Sequence, residues 1–394
     1  MNSSPAPTPR PNIPADAAAL SLSLDGETPV FCFSERALKA RANTFMSGFK
    51  GEVSFAVKSN PSREVIATLA EAGITQWDVA SVQEMQLVNS VQRDAHFHYH
   101  NPVKSRREIE SAYRNHACRR FCVDCREELE KVAAVVGEDR QIEIAVRFVL
   151  PRDRGTSAHD FSTKFGAPEH IAVELLKKVN ALGFVPVLTF HPGSQSKDPQ
   201  VYVRHIEAAA RIVKQAGVNI TTLNVGGGFP ADYELSKAPE PDVYFRMIEV
   251  ARDTHFAGLP TPKLECEPGR GLVACSMSLL TAVKLVCTDG DDIFINDGVY
   301  GGLMEYWQVP ELKPPLRVIR AGSVLAGPIK SWKVFGPTCD PMDVLPHRLD
   351  LPADLRDGDF IEFGMLGAYG ISTMTHFNGY GGNIIIAVDT VLSA

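Results

Sequence analysis

From about residue 50 to about residue 270 the chain alternates two hydrophobic patterns. Short runs rich in β-branched and aromatic residues read as strands: VSFAVKS, TQWDVAS, AHFHYH, RRFCVDC, IEIAVRFV, PVLTFH, TLNVGG and KLECEP. Between them lie stretches whose apolar residues recur three or four apart, the spacing that gives a helix one buried face. The punctuation agrees. Asn60-Pro61 predicts an N-cap followed by a first-turn proline. Ser81 and Glu84 predict a capping box. Gly73, Gly183 and Gly217 fall where helices should stop. Consecutive βα units of this number predict a closed (β/α)8 barrel. The competing fold, an open doubly wound sheet, would carry an early glycine-rich fingerprint that this chain lacks.

After about residue 270 the pattern changes. LLTAVKLVC, DIFIND, DFIEFG and NIIIAVDTV read as strands separated by Pro and Gly turns, which predicts a second, all-β domain. TPVFCF, ahead of the barrel, reads as a strand of that domain. The expected organisation is a disordered N-terminal arm over residues 1–26, a barrel over 35–272, and a β-domain made of 27–34 and 273–394. The arm is expected because MNSSPAPTPRPNIPADAAA is rich in Pro, Ala and Ser. A length of 394 residues suits two cores.

A charged content of 22% fits a soluble protein, and a net charge of −7 argues against a nucleic-acid surface, which needs a basic stripe. No apolar run is long enough to span a bilayer, and the N-terminal segment lacks the apolar core of a signal peptide. A cytoplasmic location without a membrane partner is expected. Cys118, Cys122 and Cys125 have a spacing that could hold an iron–sulfur cluster. A strand there would send Cys122 and Cys125 to opposite faces, so no metal is expected.

Barrel enzymes keep their chemistry at the C-terminal ends of the strands. Read in order, those ends carry Lys58, Asp78, His100, Asp124, Arg147, His191, Gly226-Gly227-Gly228 and Glu267. Packing needs only small residues and turn formers there, so the set points to function. Singly, each residue allows a bland reading. Lys58 is a snorkelling lysine or a Schiff-base amine. His191 is a satisfied histidine or a ring that stacks on a planar cofactor. The three glycines are a turn or a phosphate cradle. Glu267, ahead of Pro268-Gly269-Arg270, is half of an ion pair or the partner of a pyridinium proton.

In order and spacing, AVKSNP, WDVAS, RFVLP, KFG, HPGSQ, NVGGGFP, ECEPGRG, INDGVYGG, FGPTCDPMDVL and LGAYGISTMTHFNGY resemble the fold-type III pyridoxal-phosphate (PLP) decarboxylases. This is the ornithine and diaminopimelate decarboxylase family, and the pattern is most similar to the ornithine enzymes. The resemblance implies an alanine-racemase-like PLP barrel followed by a β-domain. It implies that Lys58 carries PLP, with Asp78 and Arg147 as supports. His191 would stack on the ring and Glu267 would pair with its nitrogen. Ser194, Gly228, Arg270 and Tyr369 would bind the phosphate, with Gly226 and Gly227 shaping the loop and Gly269 beside it. Cys339 and Asp340 would enter from the partner subunit of a homodimer, where Cys339 assists protonation of Cα. Asp297, Tyr300 and Asp340 would meet the substrate, the two aspartates holding its distal amine.

The implied reaction is loss of CO2 from a basic L-amino acid, with the cofactor ring absorbing the electrons. Asp340 follows Cys339 where diaminopimelate decarboxylases of this pattern carry Glu, and two aspartates suit a terminal ammonium. That implies L-ornithine converted to putrescine, a step of polyamine biosynthesis. L-lysine, or both, is the alternative, because one methylene is worth only about 1–3 kcal/mol. Two departures stand out: His191-Pro192 where Val often follows the His, and Gly302-Leu303-Met304-Glu305 after Tyr300. A catalytically inactive regulatory homologue would have lost the lysine or its neighbours. An amino-acid racemase is disfavoured by GPTCD.

Overall fold

The computed structural model describes residues 13–151, 164–382 and 384–393. Its first element is a short helix, α1 (Ala17–Ser21), capped by the Asp16 carboxylate, which accepts from the Ala19 amide at 3.0 Å. Ala17, Ala18 and Leu20 share an apolar cluster with Val30, Leu280 and Ile319. The disordered arm expected through residue 26 therefore does not include Ala17–Ser21. The alanines that suggested a solvated segment supply the small face on which α1 packs. Residues 1–12 of that expected arm lie outside the described residues.

β1 (Val30–Phe33) and α2 (Glu35–Gly48) lead into the barrel. Its parallel strands are β2 (Glu52–Ala56), β3 (Gln76–Val79), β4 (His96–Tyr99), β5 (Arg120–Val123), β6 (Glu143–Arg147), β7 (Val185–Thr189), β8 (Thr222–Asn224) and β9 (Lys263–Cys266). Each pairs with the next, and β9 closes on β2. Helices α3 (Arg63–Glu71), α4 (Val82–Asn89), α5 (Arg106–Asn115), α6 (Arg126–Val136), α7 (Glu169–Ala181), α8 (Gln200–Ala216) and α9 (Pro241–His255) connect them. The fold predicted from alternation is present strand for strand.

Two of the predicted caps differ. The N-cap of α3 is Ser62, not Asn60. The Asn60 side chain instead donates to the Gly367 carbonyl at 2.8 Å and accepts from the Ser62 amide, tying the strand end to the β-domain. Ser81 does cap α4. Glu84 accepts from the Ala80 amide rather than from Ser81, so the box is not reciprocal at that residue.

Alternation divides the strands into two faces. Phe55, Trp77, Phe97, Phe121, Ile144, Leu188, Leu223 and Leu264 join the main core under the helices. The residues between them fill the barrel, and most are polar. Only Cys122, Ala145 and Val187 form an apolar cluster there. Arg120 is paired with Glu265 and, at 2.5 Å, with Glu143. His98 Nδ1 lies 2.8 Å from Glu265, and Asn224 donates to Glu265 at 2.9 Å. Burial pushes the Glu265 carboxyl up, but His98 and Arg120 outweigh it and hold it at about 2. This charged floor is buried and internally satisfied. It fixes β9 in register just below Glu267.

Of the cysteine triplet only Cys122 lies on a strand, β5. Cys118 and Cys122 are buried, Cys125 is the N-cap of α6, and all three are free thiols.

The second domain is a curled mixed sheet built around β10 (Met277–Val286), which pairs with β1, β11 (Asp292–Ile295) and β16 (Phe360–Phe363). β12 (Leu316–Arg320), β13 (Ser323–Val324), β14 (Ile329–Phe335) and β15 (Leu349–Pro352) extend it, and β17 (Ile384–Ala387) lies parallel to β1. β12 to β15 are not among the strands expected from the pattern. Among the described residues no helix is long and apolar enough to cross a membrane.

Candidate active site

A cavity of about 240 Å³ opens at the C-terminal mouth of the barrel, and its walls include Lys58, Asp78, His100, Arg147, His191 and Glu267. Six strand ends thus deliver expected residues to one space. Asp124, also at a strand end, accepts from the Gly166 amide at 2.9 Å and braces a loop instead.

Lys58 sits on a 3-10 turn, Val57–Ser59, directly after β2. The turn is held from the β-domain, where the Tyr369 amide donates to the Ser59 carbonyl at 2.7 Å. Lys58 Nζ is ion-paired with the buried Asp78 carboxylate. Burial opposes the charged amine, but Asp78, Tyr369 and Glu267 outweigh it and hold the lysine above its ordinary value. The amine must therefore surrender a proton before it can act as a nucleophile, and Asp78 is the adjacent acceptor.

Glu267 lies just past β9 with its amide donating to the Gly226 carbonyl at 2.8 Å. Its carboxylate is paired with His100 and accepts from Asn224 at 2.6 Å. Burial pushes the carboxyl up, yet His100, Lys58 and Asn224 hold it well below the usual range. It is a fixed anion. His191 accepts from the Gly193 amide at Nδ1 over 3.1 Å. Burial, then Arg147 and Lys58, push its imidazole down to about 3, so the ring is a neutral aromatic face.

The expected phosphate group is not among the residues lining this cavity. Gly226 and Gly228 have φ of +67° and +91°, and a Cβ on either would strike a backbone carbonyl, that of Phe190 or of Gly193. A Cβ on Gly227 would sit 2.7 Å from the Glu267 carbonyl oxygen and 3.1 Å from His191 Nε2. Glycine here sets how closely the loop approaches β9 and His191. Arg270 departs from expectation. Its guanidinium is buried in a bidentate pair with Glu305, donates to the Tyr233 hydroxyl at 2.8 Å, and reaches Ser194 Oγ at 3.5 Å. Tyr369 lies under it, ring centre 5.1 Å away. Ser194, Arg270 and Tyr369 do meet, but a carboxylate already occupies the cation.

The remaining expected residues lie on the β-domain and do not line the barrel cavity of the same chain. The Tyr300 hydroxyl donates to Asp340 at 2.6 Å, and Cys339 is exposed. Asp297 is buried and spends both oxygens on the amides of Gly298 and Gly302, at 2.7 to 3.2 Å. Burial raises its carboxyl to about 7 despite those amides. The structure therefore employs Asp297 in ordering the turn that carries Tyr300. His100, Asn224 and Glu305 are partners to which the motifs assign no role, although Asn224 opens NVGGGFP. Only the strand-end position of His100 signals it.

The chain matches the model of the pyridoxal-dependent decarboxylases, pyridoxal binding domain, over residues 35–274. It is 32% identical to a lysine/ornithine decarboxylase of Selenomonas ruminantium over 341 residues, 83% of this chain and 81% of that one. It is 30% identical to antizyme inhibitor 2 of Xenopus laevis, over 83% of this chain and 73% of that one. Among solved structures, the lysine/ornithine decarboxylase of Vibrio vulnificus complexed with putrescine superposes with a TM-score of 0.80 at 27% identity, covering 94% and 96% of the two chains. Barrel, β-domain and match agree: the chain belongs to the fold-type III pyridoxal-dependent decarboxylases and is an amino-acid decarboxylase whose cofactor is pyridoxal phosphate.

Proposed function

We propose that the chain decarboxylates a basic L-amino acid, with L-ornithine, yielding putrescine for polyamine synthesis, as the first substrate and L-lysine, alone or beside it, as the alternative. The observation that carries the chemistry is one cavity holding an ion-paired lysine, a buried fixed anion and a neutral histidine face. These residues fit PLP. Lys58 would hold it covalently, Glu267 would keep a proton on the ring nitrogen and His191 would cover one face. Asp78 and Arg147 would support Lys58 and the cofactor. Ser194, Gly226, Gly227, Gly228, Gly269, Arg270 and Tyr369 would form the phosphate side. When bound, PLP supplies the sink for the electron pair that departing CO2 leaves at Cα.

The chain's own groups do the rest. Asp78 accepts the proton that frees the Lys58 amine. Glu267 stays ionised because His100 and Asn224 satisfy it, and so favours a cation against it. Cys339 delivers the proton to Cα from a partner subunit of a homodimer. That assembly is proposed because Tyr300, Cys339 and Asp340 do not line the barrel cavity of their own chain. Around them Met342, Phe377 and Tyr380 are exposed by 55%, 41% and 38%, an apolar rim suited to burial against a second copy. Eight free cysteines suit a reducing cytoplasm.

For the substrate, Asp340 and Tyr300 offer a carboxylate and a hydroxyl to a terminal ammonium. Asp297 contributes by holding the turn. The names of the relatives point the same way, toward ornithine and lysine. An inactive regulator, the reading that the antizyme inhibitor relative invites, is disfavoured because Lys58, Asp78, Arg147 and Glu267 share one cavity wall.

CO2 release measured with ornithine, lysine, arginine and diaminopimelate tests the assignment. Ornithine is expected first, with lysine lower by no more than about 10–200-fold. Diaminopimelate as the fastest substrate would remove the reading of Asp340. Asp340→Ala is expected to lower kcat/KM for ornithine by roughly a hundredfold, the cost of leaving a covered ammonium without its partner. An unchanged kcat/KM for both ornithine and lysine would show that Asp340 does not read the side chain.

Gly227→Ala is expected to weaken PLP binding by about tenfold or more, because the added methyl displaces β9 or His191. Titration of cofactor-free protein with PLP, followed by visible absorption, measures it. Undiminished affinity would mean that the loop has slack the geometry does not show.

A further inference from the structure

His100 carries no role in the chemistry above beyond steadying Glu267. Its placement supports more. It follows β4 on the inner face of the barrel and is only 9% exposed. Nδ1 is paired with the Glu267 carboxylate, and the ring stacks on His98 with centres 5.7 Å apart. The same ring lines the cavity beside Lys58, Asp78 and Cys122. Nε2 is buried and has no hydrogen-bond partner among the described residues. Buried polar atoms are nearly always satisfied, and an exception needs a cause. One end of His100 is thus anchored, and the other is left over at the wall of a cavity that takes a ligand.

We propose that His100 is a binding residue of the cofactor site, with Nδ1 anchored on Glu267 and Nε2 reserved for a polar atom of the bound cofactor. The proposal rests on the PLP reading and adds a contact to it. Burial opposes protonation of the imidazole, but the carboxylates of Glu267, Asp78 and Glu265 outweigh it, and its pKa lies above the ordinary value. A ring protonated at both nitrogens offers Nε2 as a donor. The complementary group is an oxygen acceptor. An apolar residue of the same size would keep the packing on His98 and lose both polar ends.

Three full-length variants separate the ends. His100→Phe removes both. His100→Asn keeps an amide near Nδ1, where it can still hold Glu267. His100→Gln reaches farther and restores a donor near Nε2. Each protein is stripped of cofactor, checked by its melting temperature, and titrated with PLP while visible absorption and intrinsic fluorescence are followed. The expected result is a Kd raised about tenfold or more in His100→Phe and His100→Asn, with a displaced visible band. His100→Gln is expected to stay within about threefold of the parent. Should His100→Asn match the parent while His100→Gln fails, the ring only orients Glu267 and the contact is overturned. Equal affinity and spectra in all three variants would overturn it as well. If His100→Phe does not fold, the comparison of Gln with Asn decides alone. Failure of the parent itself to take up PLP would bring down the cofactor reading, a result distinct from either.

Discussion

Lys58→Ala protein is expected to be colourless and to lose at least about a thousandfold in CO2 release, because it lacks the amine that stands ion-paired with Asp78. The parent protein should be yellow, and borohydride should fix the cofactor to the peptide that contains Lys58. The effect is large because the lysine is held in place from two sides. Its Nζ is paired with Asp78, and the Val57–Ser59 turn that presents it is tied across to Tyr369. Lys164 also lines the cavity, so peptide mapping after borohydride is the decisive readout. A label on Lys164, or a parent that stays inert and colourless after added PLP, would remove Lys58 from its role.

The second large effect is a rescue. Lys58→Ala and Cys339→Ala are each expected to be dead or nearly so. Mixed and allowed to exchange, they should recover activity. In a two-fold dimer each patch meets its mate reciprocally, so a heterodimer holds one site with both residues intact and one with neither. About half the dimers are mixed at random exchange, so recovery should approach about a quarter of the parent value. Mass spectrometry of the mixture establishes the exchange. No recovery in exchanged dimers would mean that each site is built within one chain, and Cys339 would need another way into the cavity.

Much of this was legible in the sequence, and the physical reason differs from part to part. The barrel strands show because their outer faces carry Phe55, Trp77, Phe97 and Phe121, each flanked directly by small or polar residues of the inner face. β12 to β15 did not show. β14 alternates but leaves much of its length exposed, and β13 is two residues long. Asn60 was misread because Asn-Pro has the chemistry of a cap, while its amide serves a tertiary tie to Gly367. The cavity residues were legible because β-strands end at the mouth of a barrel. Partners that complete them from elsewhere were not. Glu305 lies on a single turn far along the chain, and nothing local to it predicts that it would meet Arg270. Asp297 was readable as an acid but not as one whose oxygens are used up by the next turn.

The charged floor of the barrel has a consequence for how such a chain can change over generations. Loss of Arg120 alone takes the cation from two carboxylates, Glu143 and the fully buried Glu265. Loss of Glu265 alone takes one buried partner each from a guanidinium, an imidazole and an amide. Breaking a buried pair from one side costs about 3–5 kcal/mol, a large share of the stability of a typical domain, whereas exchanging the whole set for apolar residues can be neutral. Single steps across this layer are closed, and only concerted ones are open. Lineages descended from such a barrel will keep these residues even where the substrate changes. Invariance in this layer is then a fossil of electrostatics, and a search that equates invariance with catalysis would place the reaction one storey too low.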